Sequence, residues 1–238
     1  MQVLTVSCVW EHNGNDTLLH VLELPGAYTR GCSLEEAELK LEKEVKSYLS
    51  WMGKPLPDRI DCDIVQDIPC NLEVSDADSD ALFDAERLPL SGTEYEVLKS
   101  LALRSAESFQ RLYNSISAKE ESSDPVRNTF YGAVPRTAGD MYRHTKNVNA
   151  YYFGELNVEA DNEGTIWECR ARGFSALEAL PDFLNQPALE GSYGEFWSLR
   201  KLLRRFIWHD RIHAKAMFRM ARRNGFANNI DNAFCFEV

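Results

Sequence analysis

Apolar residues recur along this chain with two different periods, and the period changes near residue 90. In the first stretch the runs are short and rich in β-branched residues. Residues 3–10 (VLTVSCVW) read as a strand, the cluster Asn13-Gly14-Asn15-Asp16 as a turn, and LLHVLEL at 18–24 as a second strand, so the two form a hairpin. Pro25-Gly26 ends it, and residues 27–31 predict a third short strand. Ser33-Leu34-Glu35-Glu36 has the form of a capping box, in which the hydroxyl and the carboxylate each satisfy an end donor of a helix. That helix carries Leu34, Ala37, Leu41, Val45 and Tyr48 or Leu49 inward to about Met52, where Gly53 and two prolines stop it. Residues 60–65 predict another strand, with a continuation near 72–74. The stretch SDADSDALFDAERLPL at 75–90 is acidic with little pattern and reads as a linker.

From residue 91 the spacing alternates between three and four, the mark of helices packed side by side. Ser91-Gly92-Thr93-Glu94 is a second capping box. It opens a seam of Tyr95, Leu98, Ala102, Ser105, Phe109, Leu112 and Ile116. A polar loop over 117–135 follows, then a helix over 136–156 with Thr137, Met141, His144, Val148, Tyr151 and Glu155 facing inward. Residues 157–173 read as an irregular connection, and Ser175 as the cap of a shorter helix that Pro181 bends or splits. The last helix, 197–225, has the clearest pattern: Leu199, Leu202, Phe206, His209, His213, Ala216 and Met220 form its seam. Its charges (Arg200, Lys201, Arg204, Arg205, Asp210, Arg211, Lys215, Arg219) fall off that seam, with Asp210 expected outside and paired to an arginine. Ser192 or Ser198 caps this helix, and the apolar end of the chain is expected to pack on the helical unit.

These elements predict an α+β N-terminal unit of strands plus one helix, followed by an all-α four-helix bundle. The expected boundaries are 1–75, an acidic linker at 76–90, and 91–238.

Charge sharpens the division. Residues 1–90 hold 18 acidic against 7 basic residues, whereas the remainder holds 19 of each, so the net charge of −11 lies in the first part. An acidic unit repels phosphate, and nucleic acid is not an expected partner. No apolar run is long enough to span a bilayer, and the start lacks a basic region followed by an apolar stretch; no membrane and a cytoplasmic location are expected. The six cysteines are scattered without a C-x-x-C pair and read as reduced thiols. No phosphate-binding glycine loop, dinucleotide fingerprint or G-x-S-x-G is present.

Chemistry enters with the histidines. Three of the five fall on predicted seams: His144 on one helix, His209 and His213 four apart on another. A buried imidazole needs partners for both nitrogens, since an unmet polar group indoors costs about 1–3 kcal/mol. Three neutral imidazoles facing one point are ligands for a divalent ion with open positions. Asp140, four residues before His144, shares its face and is a candidate ligand or hydrogen-bond partner of the site. His12 and His20 show no partner pattern. The bland alternative for the triad is three polar core residues bridged by water.

Two resemblances rest on these residues. HVLELPGAYTRGCSLEEAELKLEKEVKSYL resembles the HicB antitoxin family: a strand into E-L-P-G, an aromatic, a glycine, then a serine-capped helix with E-E-A. Cys32 stands where that family carries an acidic or polar residue. The resemblance implies a double-stranded-RNA-binding-like fold and a protein partner held through residues 1–75. The segments MYRHTKNVNAYYFGEL and WSLRKLLRRFIWHDRIHAKAM, with one and two histidines, resemble the DinB-like family of metal-binding bundles. That resemblance implies a divalent ion, nickel or zinc, on His144, His209 and His213, a homodimer, and a hydrolase or a thiol transferase of the mycothiol or bacillithiol type acting on a small molecule. The alternative is a non-catalytic regulatory or antitoxin-like partner-binding module.

Overall fold

The computed structural model describes residues 2–74, 78–122, 124–129, 132–225 and 229–237. The architecture is α+β: a mixed sheet with helices near the N-terminus and a helical region after it. The chain divides into two compact units, Met1–Leu88 with Phe234–Val238, and Pro89–Ala233.

In the first unit, β1 (Val3–His12), β2 (Thr17–Val21), β3 (Tyr28–Gly31) and β4 (Arg59–Pro69) form a sheet in the order β3-β2-β1-β4. β1 and β2 pair antiparallel as the hairpin expected from the Asn-Gly turn, while β1 and β4 run parallel. A parallel pair needs a crossover, and two helices supply it here: α1 (Leu34–Leu39) and α2 (Leu41–Trp51). The single helix read from the sequence is therefore broken at Lys40, whose backbone N–H turns back to Ala37 and Glu38. The Ser33 hydroxyl caps α1 as its position suggested, but the Glu36 carboxylate accepts from the Cys32 N–H at 2.8 Å and from Lys40 at 2.6 Å. Ala37, Leu41, Val45 and Tyr48 are buried, and the Tyr48 hydroxyl donates to the Pro25 carbonyl at 2.7 Å.

Two boundaries differ from the sequence reading. Residues 75–77 of the expected linker lie outside the described residues, but the part from 78 onward is packed. Ala81 and Phe83 are buried with Val9 and lie against Leu22 and Ile68, and the Ser79 hydroxyl donates to Glu11 at 2.7 Å. Ala81, Leu82 and Phe83 are buried in succession, and Glu86 is buried with them, its carboxylate accepting the Phe83 N–H at 3.0 Å, whereas Leu88 is exposed. The chain's end also departs from expectation: residues 226–228 are outside the described set, and Phe234 joins the first unit, its ring 5.4 Å from that of Trp51. His12 and His20 both have partners, Asp67 at 2.9 Å and Glu11 at 3.2 Å, supplied by strand pairing that spacing along the chain does not show.

The second unit contains α3 (Gly92–Ser115), α4 (Ala138–Gly154), α5 (Ile166–Glu178) and α6 (Leu199–Arg223). Two short hairpins, β5–β6 (Asn128–Thr129 with Gly132–Ala133) and β7–β8 (Leu189–Glu190 with Phe196–Trp197), decorate its loops. α3 packs on α5 and α6, and α4 packs on the same two. Phe109, Phe153, Phe174 and Phe206, one from each helix, are fully buried at the centre. The capping box predicted at Ser91 and Glu94 is present. The stretch read as an irregular connection begins α5 instead, through a capping box of Thr165 and Glu168. The T-x-x-E spelling of that box is visible in the sequence. Gly173 of α5 has no room for a side chain: a Cβ there would collide with the Phe153 ring of α4.

Candidate metal centre

α6 sets two of the three predicted histidines. Ser198 ends its extended approach by accepting from the Lys201 N–H at 3.1 Å, which fixes the helix's first turn. His209 and His213 then follow one turn apart, and α4 brings His144 to the same point. The three ligand atoms all lie within 4.8 Å of one another. His209 Nε2 is 3.2 Å from His144 Nε2 and 3.2 Å from His213 Nε2. A tetrahedral ion with metal–nitrogen bonds of about 2.0–2.1 Å holds its nitrogens about 3.3–3.4 Å apart, close to both spacings.

Hydrogen bonding accounts poorly for this cluster. The His209 Nε2 has one lone pair, in the plane of its ring, and can take one neighbouring N–H well but not two. Its other nitrogen, Nδ1, is buried without a hydrogen-bond partner among the described residues. A cation at the point of convergence would use all three lone pairs at once. The electrostatics suit that state. Burial holds His209 well below the usual imidazole range, with His213 and His144 adding to it. Burial also brings His213 down to about 3, helped by His144, and lowers His144 itself. All three rings are therefore neutral at pH 7, with no proton competing for the nitrogens. His144 lies on the exposed side, one position off the fully buried stripe of Met141, Thr145 and Asn149.

Asp140 is not brought into this cluster. Its carboxylate takes the Arg143 guanidinium at 2.6 Å, and the Thr137 hydroxyl and Arg143 together hold its pKa below the usual carboxylate range. It serves the first turn of α4, where a negative charge is favoured by the helix dipole.

Asp210 corrects a second expectation. It is fully buried and pairs with the fully buried Arg170 of α5 through two hydrogen bonds of 2.5 and 3.0 Å. Arg170 also donates to the Ala102 carbonyl of α3 at 3.1 Å and lies over the Phe206 ring at 4.3 Å. Lys201, Arg204 and Arg211, likewise expected outside, are buried as well. A single seam underestimates α6, which is covered on most sides through its first half. The residue after His209 is thus tied to two other helices, and this fixes the rotation that presents His209. Tyr152, whose ring centre is 6.0 Å from that of His209, backs the cluster, whereas Tyr142, also on α4, stacks on Tyr113 of α3.

No family model matches the chain, and comparisons with curated proteins and with solved structures found no match. Among the described residues, no helix is long and apolar enough to cross a membrane.

Proposed function

We propose that the second unit is a four-helix bundle of the DinB-like type whose function is to hold a divalent metal ion, nickel or zinc, on His144, His209 and His213. In this reading the site is a small-molecule enzyme centre, a metal-dependent hydrolase or thiol transferase. The observation that carries the proposal is the meeting of three imidazole nitrogens from two helices, two of the spacings being 3.2 Å. Both spacings are also hydrogen-bond distances, but a single Nε2 atom of His209 serves two such bonds poorly, whereas one ion serves all three nitrogens.

An ion so held is a Lewis acid that brings water or a thiol toward its anion near neutral pH. The chain's own residues supply the rest. Burial keeps His209 and His213 neutral, and the Arg170–Asp210 pair sets the rotation of α6. The position of His144 on the exposed side leaves an approach for substrate from that face. The first unit, read as HicB-like, would carry a separate partner-binding role.

Elemental analysis of the purified protein, followed by equilibrium dialysis against zinc and nickel, tests the reading. One ion per chain is expected, lost in His144→Ala and His213→Ala variants that keep their circular dichroism. Absence of stoichiometric binding, or binding indifferent to these substitutions, removes the proposal. Turnover of low-molecular-weight thiol conjugates and simple esters is then assayed with the loaded protein; an ion held without any turnover leaves a non-catalytic metal sensor.

A further inference from the structure

A polar cleft of about 340 Å³ lies at the C-terminal end of α4, where Tyr151, Gly154, Glu155 and Asn157 face Glu190 and Ser192 of the β7–β8 hairpin. Its volume falls at the lower end of the range of about 300–1,000 Å³ typical of small-molecule sites. Glu155 is the unusual residue. It is 6% exposed, and its carboxylate accepts the Ser192 backbone N–H at 2.7 Å. Among the described residues no cationic side chain pairs with it. A buried carboxylate without a counter-charge is costly. The placement aggravates the cost, because the C-terminal end of a helix is already its negative pole and α4 has no basic residue in its last turn.

Three further features bear on what would relieve that charge. Gly191 has no side chain where one would collide with the Glu155 carboxylate, so the close approach of hairpin to helix depends on it. The fully buried Trp197 lies behind, its Cδ1 3.0 Å from the place a Gly191 Cβ would occupy, and its indole N–H has no partner among the described residues. The Tyr151 ring, 38% exposed, stands one turn before Glu155 on the same helix face and offers a π surface to a cation. Glu190 adds a second carboxylate from the opposite wall. A bare metal ion fits this cleft less well than an organic cation, since only the histidine cluster, among the described residues, brings three ligand atoms to one point.

From this we propose that the cleft between the end of α4 and the β7–β8 hairpin is a binding site for a small primary ammonium ion. The ammonium donates to Glu155 and Glu190, and its methylene chain lies on Tyr151. The site is independent of the histidine cluster.

Calorimetric titration with ethanolamine and with putrescine, using 1,4-butanediol as the uncharged control, tests the assignment. At least one amine should bind at millimolar concentration or tighter, the diol should not, and calcium should not compete. Glu155→Gln keeps the shape and removes the charge, and should weaken amine binding about tenfold or more, as expected for loss of a charge-assisted hydrogen bond. Glu190→Gln, at an exposed position, should weaken it less and guards against misfolding of the first variant. His144→Ala should leave amine binding intact, so that failure of the metal reading is read separately. No amine binding, equal binding of the diol, displacement by calcium, or an unchanged affinity in both glutamine variants overturns the proposal.

Discussion

Replacing Asp210 by alanine would leave the Arg170 guanidinium buried with one neutral acceptor, the Ala102 carbonyl, and two lost charge-assisted bonds. Breaking a buried pair in this way costs about 3–5 kcal/mol, because the surviving charge keeps its desolvation penalty. For a protein of this size about 2–4 °C of melting temperature corresponds to each kcal/mol, so a fall of about 6–20 °C is expected. The pair as a whole is not a large source of stability. Burial drives the Asp210 carboxyl above its ordinary pKa even with Arg170 beside it. The double variant Arg170→Met with Asp210→Leu should therefore recover most of the loss or exceed the parent. Urea unfolding measures both, and a shift of midpoint at constant slope identifies a true change in stability. If Asp210→Ala costs no more than about 1 kcal/mol, the level of an exposed pair, the reasoning fails. Zinc titration of the double variant then tests the pair's part in setting α6: binding should weaken relative to the parent even where stability is recovered.

Three other outcomes follow from the geometry. Below the ordinary imidazole pKa of 6.5, each buried neutral histidine of the cluster makes the unfolded chain bind a proton the folded one refuses. Metal-free stability should thus fall as pH drops from 6.5 toward 3, by about 1.4 kcal/mol per pH unit for each such ring; a flat profile measured by urea midpoints refutes their neutrality. Gly173→Ala should lower stability by about 1–3 kcal/mol through overpacking against Phe153, although alanine is the better helix former. Gly154→Ala, where nothing lies within 4 Å, should instead be neutral or gain up to about 1 kcal/mol, and thermal melts of the two variants compare them directly.

Much of this architecture is written locally. The Asn-Gly turn, the serine caps and the three-four spacing place the hairpin, α3, α4 and α6 within a few residues of their ends, because caps and periodicity act over one turn. Spacing sets His209 and His213 one turn apart on α6, but it also sets His144 inward, where the structure has it on the exposed side of α4. The meeting of the three depends on how the two helices pack. What escaped depends on partners distant in sequence. Asp210 is off the seam by spacing, and only Arg170, forty residues earlier, makes its burial tolerable. Asp140 shares a face with His144 by arithmetic, yet Arg143 lies closer and takes its carboxylate. Residues 78–88 read as linker because their composition is acidic, while Val9, Leu22 and Ile68, distant in sequence, supply the bed for Ala81 and Phe83.

The return of Phe234–Val238 to the first unit makes that unit discontinuous in sequence. A fragment ending at residue 88 would carry an empty socket beside Trp51, where Phe234 belongs, and Ser47 would lose the Phe234 carbonyl it bonds at 3.4 Å. Excising the helical unit and splicing a short linker from 88 to 234 would preserve the plug. Removing the segment from Phe234 onward in the whole chain should loosen α2 around Ser47 and Trp51, leaving the helical unit intact. Residues 47–51 and 234, far apart along the chain, are neighbours in folding terms.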